Sequence, residues 1–264
     1  GQRSYVTQVN LARLGAASTV DMLKHIAEDR ELPPEVVDQI VAKTDGVPLF
    51  VEELLRTVID SDMVVERDGS YELTRPLPAL GIPSTLHASL AARLDRLGGA
   101  RYVLQLAATV GREFTYELLR AVSPLEEPAL QAHLSQLASD EFLYTRGVPP
   151  AATYTFKHAL LQDAAYGSLL RGDQRQYHRQ IADALAGDAV GSSDTAPELL
   201  AYHYTEAGSA REAVECWHRA GVRANARAAS LEAVSHLNAA LDMLRVLPES
   251  AETREQEFET LTEL

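Results

Sequence analysis

Apolar residues recur at intervals of three and four along most of this chain, the spacing that gathers them on one side of an α-helix. Ser18 predicts the cap of a helix running through about Asp29. Pro33 and Pro34 predict the start of a second, with Val36, Val37, Ile40 and Val41 on one face and Asp45-Gly46 closing it. Pro48 predicts a third, Leu49 to about Asp60, with Phe50, Val51, Leu54, Leu55 and Val58 as its buried stripe and Glu52 and Glu53 on the other side. The period then falls to two. MVVERDGSYEL predicts a hairpin around Asp68-Gly69, and TRPLPALGIPS, with three prolines, predicts a linker ending at a helix cap, Ser84. The opening YVTQVNL alternates as a short strand, expected to be the edge of a unit whose beginning precedes it.

From Ser84 the helical period returns. Leu86, Leu90, Leu94 and Leu97 predict one helix, Tyr102 to Val110 a second ended by Gly111, and Thr115–Val122 and Glu126–Ser139 two more. Phe142-Leu143-Tyr144 and Thr153 to Phe156 predict two strands around the loop GVPPAA. Helices followed by a two-stranded wing are the order of a winged helix. Helices are predicted over His158–Leu170 and about Asp173–Leu185, before the polar gap GDAVGSSDTAP. Beyond it, Leu200, Ala201, Tyr204, Ala213, Trp217 and Ala220 fall at the small- and large-residue positions of a tetratricopeptide-like (TPR-like) helical repeat of about 34 residues. The triplet Glu-Ala-Val recurs at 212–214 and 232–234, too closely spaced for a full repeat, and REQEFETLTEL predicts an amphipathic segment without an evident cap. The expected architecture is mainly α: a helical bundle over 1–80, a winged-helix domain with a small β-wing over 84–170, and the start of a TPR-like solenoid over 173–264.

Length agrees with two or three units, since 264 residues exceed an ordinary domain of about 150. With 38 acidic against 24 basic residues, the net charge of -14 gives no global attraction to nucleic acid or an anionic membrane. DNA is therefore an unexpected partner and a membrane none. A single cysteine, Cys216, excludes an internal disulfide, and with no spanning-length apolar run or signal-type start the expected compartment is the cytoplasm. The only lysines are Lys24, Lys43 and Lys157, preceded by Leu23, Ala42 and Phe156, so no Gly-Lys of a P-loop exists in these residues, nor does a G-x-G-x-x-G.

Chemistry has few carriers. His25, His87, His133, His178, His203, His218 and His236 are scattered along predicted helices without metal-ligand spacing, so no metal site is expected, and Cys216 reads as a packing residue. The expected recognition helix of the winged helix carries Glu126, Glu127, Asp140 and Glu141, and no basic residue lies between Arg120 and Arg146, the wrong sign for phosphates. Arg219, Arg223 and Arg227 at i, i+4 and i+8 form either a partner-facing strip or a solvated helix face paired with nearby acids.

Two stretches are more specific: VVDQIVAKTDGVPLFVEELLRTVIDS over 36–61, and YTFKHALLQDAAYGSLL over 154–170. Both resemble segments of the STAND class of signalling ATPases, specifically the ATPase regions attached to class III adenylate/guanylate cyclases and to LuxR/MalT-like regulators. The resemblance runs in that family's order: end of the nucleotide-binding domain, helical lid, winged helix, TPR-like repeats. It implies that Gly46-Val47-Pro48 is the lid motif that approaches adenine. It also implies that His158, with weaker help from Lys157, is the winged-helix contact to the β-phosphate of ADP; a cap or core histidine is the alternative. Walker A and Walker B lie outside the chain, so these residues form only one side of an ATP/ADP site, with Mg held by the missing domain. The expected role is regulatory and not catalytic by itself. Its partners are the nucleotide-binding domain in cis and a protein bound through the repeats, and its output is a cyclase or transcription regulator. A nucleotide-independent helical scaffold and a winged-helix DNA-binding regulator are the alternatives.

Overall fold

The computed structural model describes residues 12–60, 64–67, 69–74, 85–187 and 196–264. The strand expected in YVTQVNL, the linker from Arg75 with its Ser84 cap, Asp68 of the hairpin turn and most of the polar gap after Gly187 lie outside the described residues. The fold is mainly α, with 68% helix in 13 helices among the described residues and two small antiparallel sheets. The chain divides into two compact units, 1–97 and 98–264.

In the first unit α1 (Ala16–Ile26), α2 (Pro34–Thr44) and α3 (Pro48–Asp60) enclose a core of Leu23, Val36, Ile40, Val51, Leu54, Leu55 and Val58. α1 begins two residues before Ser18, with Gly15 at its cap, and ends before Glu28 and Asp29, which turn left-handed at φ 54° and 60°. Proline opens both α2 and α3, where its missing N–H would have had no helical partner. β1 (Val64–Arg67) and β2 (Ser70–Leu73) form the expected hairpin. α4 (Leu86–Asp95) is capped by Thr85, whose Oγ1 accepts from the Ala88 amide at 3.2 Å. It packs on α3, so it belongs to this unit and not with the helices after Gly98.

The second unit opens with α5 (Ala100–Val110), β3 (Glu113–Thr115), α6 (Tyr116–Val122), α7 (Glu127–Ser139), β4 (Leu143–Arg146) and β5 (Thr153–Phe156). The sheet has three strands where two were expected, in the order β3-β5-β4. β3 is three residues long, too short to show a period. β5 alternates as a central strand should: Tyr154 and Phe156 are buried, and Thr153 and Thr155 are half-exposed. Phe114 of β3 stacks on its cross-strand partner Tyr154 with ring centres 5.5 Å apart, both rings buried. α8 (Ala159–Gly167) packs on α5, and α9 (Arg171–Ala186) packs on α5, α6 and also α10 (Pro197–Ala207), tying the helices after the sheet to those before it.

α11 (Ala210–Ala226), α12 (Ser230–Leu244) and α13 (Ala251–Glu263) follow. The two Glu-Ala-Val triplets lie on adjacent helices, with Ala213, Ala220, Ala233 and Ala240 all buried. Small side chains let α11 and α12 approach so closely that a Cβ on Gly221 would stand 2.6 Å from the Leu237 side chain. The last segment does have a cap. Ser250 Oγ accepts from the Thr253 amide at 3.1 Å and Thr253 Oγ1 accepts from the Ser250 amide at 2.8 Å, a reciprocal box with Thr in place of Glu. No helix among the described residues is long and apolar enough to cross a membrane.

Candidate functional site

Gly46-Val47-Pro48 forms a tight passage from α2 to α3 in the first unit. α2 ends at Thr44, and Asp45 and Gly46 then adopt the left-handed region at φ 48° and 68°. The Leu14 amide donates to the Gly46 carbonyl at 2.8 Å, bringing the two backbones so close that a Cβ on residue 46 would lie 2.0 Å from the Leu14 carbonyl oxygen. Glycine is required here by conformation and by contact. The Val47 amide donates to the Thr44 carbonyl at 3.0 Å, and the Val47 carbonyl accepts from the Phe50 and Val51 amides at 2.9 and 3.0 Å. Val47 is half-buried against the core and Pro48 is exposed, so the turn offers a rigid apolar edge without free main-chain donors at Val47 or Pro48. Thr44 Oγ1, at the end of α2, is buried without a hydrogen-bond partner among the described residues.

Lys157 and His158 belong to the second unit, between β5 and α8. His158 is the N-cap residue of α8 by its extended backbone, φ -133° and ψ 141°, and its carbonyl accepts from the Leu161 amide at 3.1 Å. Its ring is half-buried at the positive end of that helix, a place suited to an anion. Lys157 is differently engaged. Its ammonium group meets Glu141 Oε2 at 2.5 Å, while its amide donates to the Phe142 carbonyl at 3.0 Å. The charge expected to assist at a phosphate is thus met by a carboxylate on the turn before β4.

Three polar clusters escape the sequence pattern. Glu53, expected on an outer face, is buried: Arg93 of α4 reaches both its carboxylate oxygens at 2.6 and 2.5 Å, with the two side chains 1% and 5% exposed. The Thr57 and Ser89 hydroxyls lie 2.8 Å apart, and each lies within hydrogen-bond distance of the Glu53 carbonyl, at 2.8 and 3.2 Å. With two protons for three contacts, one hydroxyl donates to that carbonyl and the other donates either to it or to its neighbour. The signal available in sequence is in α4, where Ser89 and Arg93, four residues apart, stand one position before Leu90 and Leu94 and so share the buried leucine face.

In the second unit His178 of α9 and His203 of α10 come together, Nδ1 to Nδ1 at 2.9 Å, and Tyr166 Oη lies 3.0 Å from His178 Nε2. Both rings are essentially inaccessible. Burial pushes each imidazole down to about 4, and for His203 the neighbouring His178 adds to the effect. Both are neutral near pH 7, and a direct Nδ1–Nδ1 bond requires one ring to donate and the other to accept. Their separation in sequence hid the pairing. Arg179 bridges α9 to α11, meeting Asp183 at 3.0 Å and Glu212 at 2.6 Å. The arginine strip on α11 is also partly engaged, Arg227 with Glu232 at 3.7 Å.

Over 223 residues the chain is 33% identical to a protein of Rhizobium meliloti (strain 1021) bearing the name "Uncharacterized protein R02095". The match takes in 83% of this chain and 21% of that protein, so the chain spans about a fifth of the relative's length. No family model matches the chain.

Proposed function

We propose that this chain is the regulatory helical part of a STAND-class signalling ATPase. In this reading it closes over ADP or ATP held by a P-loop domain outside these 264 residues and passes the nucleotide state to a cyclase or transcription-regulator output through TPR-like repeats. The observation that carries the reading is the arrangement of the second unit: α5, β3, α6, α7 and the β4–β5 hairpin, with β5 between β3 and β4, agrees with the element order expected of a winged helix, and His158 is the N-cap residue of the helix that follows β5. The exposed Pro48 edge in the first unit suits an adenine ring, and the His158 ring at a helix N-terminus suits a phosphate. The nucleotide would supply the γ-phosphate whose loss distinguishes the two states; in this reading the chain contributes packing and a donor. Lys157 is assigned to Glu141 and not to phosphate.

The test is ADP affinity in the full-length protein. His158→Ala should weaken it by about tenfold, the loss of one charge-assisted or strong neutral donor, while Lys157→Ala leaves it within about twofold. Unchanged ADP affinity in the His158 variant refutes the phosphate role. The nucleotide-independent scaffold reading is favoured by the Lys157–Glu141 pair, and it requires that ATP and ADP release no heat when titrated into the full-length protein. For the DNA-binding reading the sign is wrong: α7, the helix that would enter a groove, carries Glu127 and neither Lys nor Arg.

A further inference from the structure

We propose that the cleft between the N-terminal end of α9 and the C-terminal end of α10 binds a small zwitterion of the α-amino-acid class, its carboxylate on Arg171 and Arg175 and its ammonium group on Glu206. The cleft has a volume of about 300 Å³, room for one amino acid and its water, and Tyr166, Gln174 and Thr205 complete its walls. Its charges are arranged against the stability of the helices that carry them. Cations favour helix C-termini and anions N-termini, yet Arg171 is the first residue of α9 and Arg175 lies one turn on, with Asp173 the single acid of the first turn. Glu206 is in the last turn of α10, where no basic residue offsets it. None of the three takes part in an ion pair among the described residues, although both signs line one cleft. Each end of the cleft is therefore more polarised than folding requires, a local conflict of the kind that marks a binding site.

A ligand that carries both a carboxylate and an ammonium group, as an α-amino acid does on one carbon, satisfies both poles. A phosphate or simple carboxylate would satisfy the arginines alone and face Glu206, on a chain of net charge -14. Gln174 Nε2 already donates to the Tyr166 carbonyl at 3.2 Å, and Thr205 Oγ1 accepts from the Trp217 indole at 3.0 Å while donating to the Ala201 carbonyl, so the polar walls are pre-set.

The experiment titrates the common L-amino acids, with acetate, ethylamine and inorganic phosphate as half-ligand controls, into the full chain at millimolar concentration. It follows binding by calorimetry and by NMR of the Tyr166 ring and Gln174 side-chain amide. At least one amino acid should bind at millimolar affinity or tighter and shift those signals, more strongly than acetate or ethylamine. Arg171→Gln/Arg175→Gln and Glu206→Gln should each weaken it by about tenfold or more. All three side chains are exposed, and removing charges placed against the helix dipoles should leave the unliganded variants melting no lower than the wild type. Failure of every amino acid to bind overturns the proposal. So does binding that survives Glu206→Gln, or phosphate and acetate binding as well as any amino acid, either of which indicates an anion site only. Loss of unliganded stability in the variants without loss of binding assigns the charges to packing and overturns it equally.

Discussion

Acidification should destabilise the second unit through the buried His178–His203 pair, and the size of the effect follows from their surroundings. In the unfolded chain each imidazole protonates near its ordinary value of 6.5; in the folded chain burial holds both at about 4. Between those values the unfolded state binds more protons than the folded one. Unfolding free energy therefore falls as pH drops from about 6.5, by roughly 1.4 kcal/mol per pH unit for one histidine, and the fall levels off below about 4. Two and a half units amount to roughly 3 kcal/mol for the first histidine. The second adds less than an equal share, because part of the His203 depression comes from His178 and the two titrate as a pair. Urea denaturation of the full chain, followed by helical circular dichroism between pH 7.5 and 4.5, reads the slope. His178→Leu/His203→Leu removes both rings and should flatten that slope relative to the wild type, since carboxylate titration is common to both proteins. His203→Leu alone strands a buried nitrogen of His178 and should cost about 1–3 kcal/mol at neutral pH. Identical pH slopes for the wild type and the double variant, or an imidazole resonance of either residue titrating near 6.5, would refute the reasoning.

Other expectations follow from single contacts. Arg93→Ala leaves Glu53 buried without its partner and should cost about 3–5 kcal/mol in thermal or denaturant unfolding of the first unit, whereas Glu53→Leu/Arg93→Met should recover most of it. Gly46→Ala must relieve both a left-handed φ and a Cβ placed 2.0 Å from the Leu14 carbonyl, so a loss of at least about 1–3 kcal/mol is expected, with hydrogen exchange of the Leu14 amide increased. Ser250→Ala removes the α13 cap and should cost about 1 kcal/mol locally, seen as faster exchange in the first turn of that helix.

Local rules read much of this molecule. Pro34 and Pro48 mark two helix starts, Thr153 to Phe156 alternates as a strand, and the leucines of α7 show its buried face before any contact is known. Three features carry no such local mark. β3 is too short to carry a period. The Ser250–Thr253 box uses an unusual third residue. Glu53 lies opposite the apolar stripe of its own helix, and only the packing of α4 against α3 buries it.

The candidate site divides in the same way. The left-handed turn before Pro48 is legible because glycine and proline constrain the backbone within a few bonds, and the position of His158 at the head of a helix is legible from the change of period around it. That Lys157 is met by Glu141, that His178 finds His203, and that Arg171, Arg175 and Glu206 share one cleft were decided only by tertiary packing. Periodicity records which side of an element turns inward. The partner a polar group meets there depends on which helices pack against each other, and at what height along their axes.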